Sequence, residues 1–146
     1  MLIFKIRNGM YQSPAPTDDA FIDSSGNKIN IDAIIDLEGG IDAIVEKSLE
    51  AGKIYVCWPI EDGPLPDNNT LNYLSYFIES LINEGKIILT HCAAGINRAS
   101  LVNGRTLIAM GMKPIDAITL IRQQRDANAL SNQNFYDYLM QQTPGI

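Results

Sequence analysis

A cysteine and an arginine lie six positions apart in this chain, at Cys92 and Arg98, and the residues between them carry no charge. A thiolate is a nucleophile, and a guanidinium binds two phosphate oxygens in a planar fork that a lysine does not reproduce. Gly95 would allow a short loop between them to turn tightly around those oxygens. The spacing therefore predicts a loop suited to phosphate chemistry.

The flanking residues predict a strand before this loop and a helix after it. Lys86 to Thr90 is a short apolar run typical of a buried strand, and apolar residues recur at helical spacing from Arg98 onward, as in an amphipathic helix. In such a turn, the N–H groups of the first helical residues lack partners within the helix and can converge on an anion. The helix dipole and Arg98 would both favour the thiolate form of Cys92.

The run from His91 to Arg98 resembles the His-Cys-x5-Arg motif of the cysteine-dependent protein tyrosine phosphatases, especially those of the small dual-specificity type. The resemblance implies that Cys92 forms a phosphocysteine intermediate and that His91 orients the loop and supports the thiolate by hydrogen bonding. It also implies an α/β fold with a central, mostly parallel sheet flanked by helices. The residues expected to bind the substrate phosphate are Ala93, Ala94, Gly95, Ile96, Asn97 and Arg98.

A general acid is also required, because an alkoxide or phenoxide leaves slowly unless it is protonated. The loop after Trp58 is rich in glycine and proline and offers three carboxylates. The family places its acid aspartate in such a loop, a few residues before prolines, and Asp62 matches that position best. Asp67 is the alternative, although it could instead cap the following helix, and Glu61 is typical of a solvated surface charge.

Ala99 departs from the family pattern, which usually has serine or threonine directly after the loop arginine. That hydroxyl helps the thiolate leave when the phosphocysteine is hydrolysed. Ser100 is one position further along and would be rotated by about 100° around a helix. We therefore expect slow breakdown of the intermediate.

Three residues outside the motif have alternative interpretations. Cys57 ends a strand expected to neighbour the catalytic one, so it is either a core cysteine or a partner for a reversible disulfide with Cys92. Arg122 and Arg125 lie in a C-terminal region that resembles the family's, but a surface charge pair is the favoured interpretation of both.

Strands alternate with helices along the rest of the chain, which predicts a largely parallel sheet with its ligand crevice beyond the carboxyl ends of the strands. Two prolines, Pro14 and Pro16, predict an extended, exposed loop over Tyr11 to Thr17. The remaining predicted elements are strands at Leu2–Ile6, Ala33–Leu37 and Lys53–Trp58, and helices at Ile41–Gly52, after Asp67, from Pro114 and around Phe135, Tyr138 and Leu139. In the helix after Asp67, Phe77 is expected to join a continuous apolar face toward the core.

Length and composition limit the classes of function. The 146 residues predict one phosphatase domain over 1–146, and two cysteines and one histidine predict neither a disulfide framework nor a metal site. The net charge of −6 argues against nucleic acid or an anionic membrane as the main partner. We expect a cytoplasmic, monomeric protein that needs no cofactor.

The resulting hypothesis is a phosphomonoesterase acting on phosphotyrosine proteins or peptides, with phosphoserine and phosphothreonine as further substrates. In it, Cys92 attacks phosphorus, Arg98 holds the oxygens and Asp62 is the acid. Two alternatives remain open. One is a phosphate- or phosphopeptide-binding module with weak turnover, and the other is a phosphatase for non-protein esters such as RNA 5′-phosphates.

Overall fold

Five strands form the central sheet in a computed structural model that describes residues 1–40 and 42–146. They are β1 (Phe4–Arg7), β2 (Met10–Ser13), β5 (Ala33–Asp36), β6 (Ile54–Cys57) and β7 (Ile88–His91), and their spatial order is β1-β2-β7-β5-β6. The last four in that order are parallel, while β1 is antiparallel to β2. A separate two-stranded hairpin consists of β3 (Phe21–Ile22) and β4 (Lys28–Ile29). The mostly parallel α/β sheet predicted from the sequence is confirmed.

Five helices connect and cover the strands. They are α1 (Asp42–Glu50), α2 (Asn68–Asn83), α3 (Arg98–Ala109), α4 (Pro114–Gln124) and α5 (Gln133–Met140). Pro114 lies in the first turn of α4, where its missing N–H costs no helical hydrogen bond. The expected first residue of α1, Ile41, lies outside the described residues. Within residues 1–40 and 42–146, no helix is long and apolar enough to span a membrane.

Both faces of the sheet are buried, because successive side chains of a strand point to opposite faces. Ile35 and Ile88 pack on the face covered by α2 to α5, whereas Ile34 and Leu89 pack on the face covered by α1 and the hairpin. The helix α3 is central to the first face and is buried from Ala99 to Ala109, so the expected amphipathic pattern is wrong. The helix that follows Cys92 is therefore held rigidly on all sides.

The expectation of an exposed loop over Tyr11 to Thr17 is wrong in its first half. Residues Met10–Ser13 form β2, whose four residues are all buried and pair in parallel with β7. The prolines do not prevent this, because both follow the last paired residue of the strand. As a result, Ser13 lies directly beside His91, and the chain after it reaches the loop that contains Cys92.

Phe77 also differs from its expected position in the core. Its side chain is 38% exposed, while Leu74 and Ile78 on the same helix are buried. The apolar face of α2 is therefore narrower than its sequence pattern predicts.

Candidate active site

The strands β5, β6 and β7 bring three loops to one edge of the sheet. Asp36 pairs with both His91 and Cys57, so the carboxyl ends of the three strands lie side by side. The loop that we call the Cys92 loop, residues 92–97, follows β7, and the loop that we call the acid loop, residues 58–67, follows β6. The sheet edge predicted to carry the site is therefore where both loops lie.

Four consecutive carbonyl groups of the Cys92 loop, those of residues 93–96, accept hydrogen bonds from groups outside the loop. Ala93 O accepts from Ala15 N at 3.1 Å, and Ile96 O accepts from Leu130 N at 3.2 Å. Between them, Ala94 O accepts from Arg125 Nη2 at 2.9 Å. Gly95 O accepts from both Gln12 Nε2 at 2.9 Å and Arg125 Nε at 3.1 Å. The four carbonyls are thus fixed outward.

The N–H groups of the same loop have few protein partners. Gly95 N donates to Cys92 Sγ at 3.2 Å. Across the described part of the chain, no protein group accepts from the backbone N–H of Ala93, Ala94, Ile96 or Asn97. A run of backbone N–H groups left free while the carbonyls are bonded elsewhere forms an anion-binding concavity, here at the start of α3. Cys92, 2% exposed, lies at its base.

A left-handed backbone conformation at Gly95 lets the loop turn so tightly. Its φ is +67°, and a Cβ added there would lie 2.4 Å from the backbone carbon and oxygen of Ser13. The loop therefore packs directly on the end of β2. No other residue would fit at this position.

Gln12 and Arg125 bond the Cys92 loop, a role that the sequence predicts for neither of them. Gln12 is fully buried, and besides Gly95 O it donates to Ser100 Oγ at 2.7 Å and accepts from Asn103 Nδ2 at 3.0 Å. Arg125 also stacks over the ring of Phe4, 4.2 Å from its centroid. Burial lowers the pKa of Arg125, partly offset by the nearby Asp126 and Cys92.

The interpretation of Arg122 and Arg125 as a surface charge pair is wrong. Arg125 holds the Cys92 loop, and Arg122 Nε donates to Ala129 O at 2.9 Å on the segment that bonds Ile96. The sequence could not reveal these contacts, because their acceptors are backbone carbonyls.

The acid loop places Asp62 against the Cys92 loop. Asp62 is exposed, and its Oδ2 accepts from Asn97 Nδ2 at 3.1 Å while its Oδ1 accepts from Asn132 Nδ2 at 2.9 Å. Arg98 Nη1 donates to Ile60 O at 3.1 Å, so a second residue of the same region also bonds the acid loop. The structure thus brings Asp62, Arg98 and the Cys92 loop together.

Asp67 lies at the start of α2 and caps it. Its Oδ2 accepts from Thr70 N at 2.9 Å and from Thr70 Oγ1 at 2.8 Å. These hydrogen bonds lower the pKa of Asp67 and so stabilise its ionised form, which is unfavourable for a general acid. Glu61 is exposed. Of the three carboxylates, only Asp62 contacts the Cys92 loop within the described part of the chain.

His91 lies beside Asp36 in the interior of the protein. Both side chains are fully buried, and His91 Nε2 lies 3.7 Å from Asp36 Oδ1. Burial lowers the pKa of His91 despite the nearby carboxylate. Burial alone would raise the pKa of Asp36, but it is lowered because the N–H groups of Gly39 and Glu38 and the hydroxyl of Tyr55 donate to the carboxylate. Neither ring nitrogen of His91 has a hydrogen-bond partner in the part of the chain described.

Cys57 does not lie on a strand that neighbours the one before Cys92. The strand β5 lies between β6 and β7, with Asp36 paired to both Cys57 and His91. Two strand spacings amount to about 10 Å, and cysteines whose Cα atoms are more than about 7 Å apart cannot form a disulfide without backbone movement. The expectation of neighbouring strands is wrong, and the disulfide with Cys92 loses its geometric basis.

Ala99 and Ser100 occupy buried positions at the start of α3. Ser100 Oγ accepts from Gln12 Nε2, so this hydroxyl belongs to the buried contacts between α3 and β2. Ala99 directly follows Arg98 and has no hydroxyl.

Comparisons with known proteins agree with this arrangement. Mouse protein tyrosine phosphatase type IVA 3 is 38% identical over 87 residues, which are 58% of this chain and 50% of the relative. Rat protein tyrosine phosphatase type IVA 2 is 34% identical over 99 residues, 65% of this chain and 59% of the relative. The chain thus spans between one half and three fifths of the length of these relatives.

Solved structures share the fold over nearly the whole chain. Tk-PTP in its active form aligns with a TM-score of 0.73 at 20% identity, covering 96% of this chain and 97% of that one. Human DUSP28 aligns with a TM-score of 0.71 at 14% identity, covering 94% and 92%. At these identities the likeness concerns the fold alone.

The family comparison covers both loops of the site. The model of the family described as "Dual specificity phosphatase, catalytic domain" matches residues 16–143, a range that contains the acid loop, the Cys92 loop and all helices that pack on them. Since the match spans most of the chain and includes the His-Cys-x5-Arg motif, this chain belongs to the dual specificity phosphatase catalytic domain family.

Proposed function

We propose that this protein hydrolyses phosphomonoesters on proteins or peptides, with phosphotyrosine as a substrate and phosphoserine and phosphothreonine as further ones. The observation that carries the proposal is the concavity of N–H groups around the buried thiol of Cys92, with its carbonyls fixed outward. Family membership and the tyrosine phosphatase relatives support the same activity.

The first step transfers the phosphoryl group to the enzyme. The Cys92 thiolate attacks phosphorus, the bond between phosphorus and the ester oxygen breaks, and Asp62 gives its proton to the leaving oxygen. The N–H groups of the Cys92 loop and the guanidinium of Arg98 stabilise the charge on the equatorial oxygens. The product alcohol or phenol leaves, and a phosphocysteine remains.

The second step releases phosphate. Asp62, now ionised, takes a proton from water as that water attacks phosphorus, and the bond between phosphorus and Sγ breaks to restore the thiolate. Apart from the substrate and the attacking water, every group in both steps belongs to this chain, so the proposal requires no cofactor. The cytoplasmic location, the monomeric state and the lack of nucleic-acid or membrane partners stay predictions.

The test uses 4-nitrophenyl phosphate and matched phosphotyrosine, phosphoserine and phosphothreonine peptides. We expect Cys92→Ser to abolish hydrolysis, while Cys57→Ser, which removes the other free thiol, leaves it close to wild type. Retention of activity in Cys92→Ser would contradict the mechanism.

A phosphopeptide-binding module with weak turnover is the second candidate, because the residue after Arg98 is Ala99 and provides no hydroxyl. Peptide binding by the wild type without phosphate release would support the module. Release from RNA 5′-phosphates but not from peptides would instead support the non-protein alternative.

A further inference from the structure

We propose that Asn97 and Asn132 are positioning residues that hold the Asp62 carboxylate where it protonates the leaving group. This inference rests on the proposed function, since it assigns a role to the partners of the general acid. The two amides contact different oxygens of the carboxylate, Asn97 at Oδ2 and Asn132 at Oδ1. Each oxygen keeps a second lone pair, so the carboxyl can still carry the proton that it transfers.

The orientation of both amides is determined by their other contacts. Asn97 Oδ1 accepts from Asn132 N at 3.1 Å and from Ser131 Oγ at 3.3 Å. Asn132 Oδ1 accepts from Phe135 N at 3.3 Å. Because a backbone N–H can only donate, each amide must place its oxygen there and its NH₂ group toward Asp62. Both donors therefore point at the carboxylate.

The side chain of Asn97 is not used for local structure. Asn97 occupies the N-cap position of α3, where asparagine commonly accepts from an N–H of the first turn. Its side chain makes no capping hydrogen bond here and instead reaches Asp62, 35 positions earlier in the chain. A residue placed for helix stability alone would not need this contact.

The position of Asn97 within the Cys92 loop explains what its contact with Asp62 achieves. The acid loop has no regular secondary structure and Asp62 is exposed, so its carboxylate would otherwise sample several rotamers. Asn97 directly precedes Arg98, to which the proposed function assigns the phosphate oxygens, so the contact ties the acid to the loop that would hold phosphorus. Displacement of a reacting group by 1 Å can cost about 100-fold in rate.

The backbone of the acid loop is held separately. Gly63 O accepts from Asn132 Nδ2 at 3.1 Å and from Asn134 Nδ2 at 3.0 Å. Asn134 thus bonds the loop without bonding the carboxylate. Asn134→Ala is therefore a matched control, because it weakens the anchoring of the acid loop but leaves both hydrogen bonds to the Asp62 carboxylate in place.

The experiment compares phenyl phosphate with 4-nitrophenyl phosphate. Phenol is a poor leaving group that depends on the acid, whereas 4-nitrophenol leaves readily without it. General acids contribute about 10²–10⁴-fold. Misplacing the acid should remove only part of its contribution. For Asn97→Ala we therefore expect about a 10-fold loss of kcat/KM with phenyl phosphate and about a 2-fold loss with 4-nitrophenyl phosphate.

Asn132→Asp is the second variant, because an aspartate can still cap α5 while replacing a donor to Asp62 with a like charge. We expect the same preference for the better leaving group, with a Tm close to wild type. In the Asp62→Asn background, Asn97→Ala should have no additional effect, because the proton-donating acid is already absent.

Several results would overturn the proposal. If Asn97→Ala or Asn132→Asp lost activity equally with both esters, the two asparagines would serve only structure. The same conclusion would follow if Asn134→Ala lost as much activity with phenyl phosphate, relative to 4-nitrophenyl phosphate, as these variants do. Additive losses in the double variant would also contradict it. A wild type without Cys92-dependent hydrolysis of either ester would instead disprove the proposed function, so the two failures are distinguishable.

Discussion

Arg125 donates through Nε to the carbonyl oxygen of Gly95 at 3.1 Å, which links the end of α4 to the middle of the Cys92 loop. The same carbonyl accepts from Gln12 Nε2 on β2, so two elements far apart in sequence hold one peptide group. A carbonyl held from outside leaves the neighbouring N–H groups directed inward. The shape of the anion site thus depends on residues that do not touch the anion.

Arg125→Met should therefore weaken oxyanion binding. We expect about a 10-fold loss in affinity for vanadate and in kcat/KM, less than the 10²–10³-fold typical of removing a group that touches the oxyanion. Isothermal titration and steady-state assays measure both. Arg122→Met removes a guanidinium from the same helix that bonds Ala129 O, and an equal loss of vanadate affinity in that variant would contradict the assignment.

Gly95→Ala should be far more damaging than its small size suggests. The new Cβ would lie 2.4 Å from the Ser13 backbone, which cannot move without disturbing β2. Gly26 has a similar φ, +82°, but open space around it, so Gly26→Ala adds only the left-handed strain of about 1–2 kcal/mol. Urea unfolding and phosphatase assays compare the two. Similar losses of stability and activity in both variants would show that the close approach to Ser13 is unimportant.

Asp62 and Asp67 should respond to substitution in opposite ways. Asp67→Ala removes the cap of α2 at Thr70 and should lower Tm by a few degrees while leaving kcat near wild type. Asp62→Asn should leave Tm nearly unchanged and reduce kcat by about 10²-fold or more, because it removes the proton donor to the leaving group. Differential scanning calorimetry and kcat measurements separate the two roles. A full-rate Asp62→Asn beside an inactive but folded Asp67→Ala would reverse the assignment.

The site was predictable where chemistry depends on residue type and fixed spacing. Cys92 and Arg98 flank a loop between a strand and a helix, and the structure places both as the sequence predicts. The place of Asp62 before the prolines favours it over Asp67 as the acid, and the structure brings Asp62 into contact with the Cys92 loop. These inferences depend on local features, namely a motif, an apolar run and a cap.

Long-range contacts account for what the sequence did not reveal. Gln12 belongs to a segment whose prolines predict a loop, and its burial follows only from pairing with β7, where its partner Thr90 lies 78 positions later in the chain. The order of β6 and β7 along the chain predicts that the strand of Cys57 neighbours the strand before Cys92, yet β5 lies between them. Strand order in a parallel sheet is set by packing on both faces, which a single sequence does not display.

Acid should destabilise the fold through His91. Burial holds its pKa below 6.5, so the unfolded chain binds a proton more readily than the folded one below that pH. The free energy of unfolding then falls as the pH drops below 6.5. Asp36, whose pKa is below 3.8, adds to the loss only in stronger acid. Thermal melts of the wild type from pH 7.5 to 5 should therefore show a falling Tm.

His91→Asn is the reference for that measurement. An asparagine does not titrate, so its Tm should depend less on pH between 7.5 and 5 than that of the wild type. Parallel curves for the two proteins would show that His91 does not control this part of the acid response.

Ala99→Ser should accelerate turnover by restoring a hydroxyl directly after Arg98. Ser100 is one residue further along α3, and its Oγ lies in the buried contact between α3 and β2, where it accepts from Gln12 Nε2. If breakdown of the phosphocysteine limits the wild type, rapid quench with 4-nitrophenyl phosphate shows a burst of nitrophenol followed by slower release. In Ala99→Ser we expect a smaller burst and a several-fold higher kcat. Ala109→Ser, near the other end of the same buried helix, controls for the cost of burying a hydroxyl. Single-exponential release by the wild type, without a burst, would place the slow step before the intermediate, and the hydroxyl at position 99 would then have nothing to accelerate.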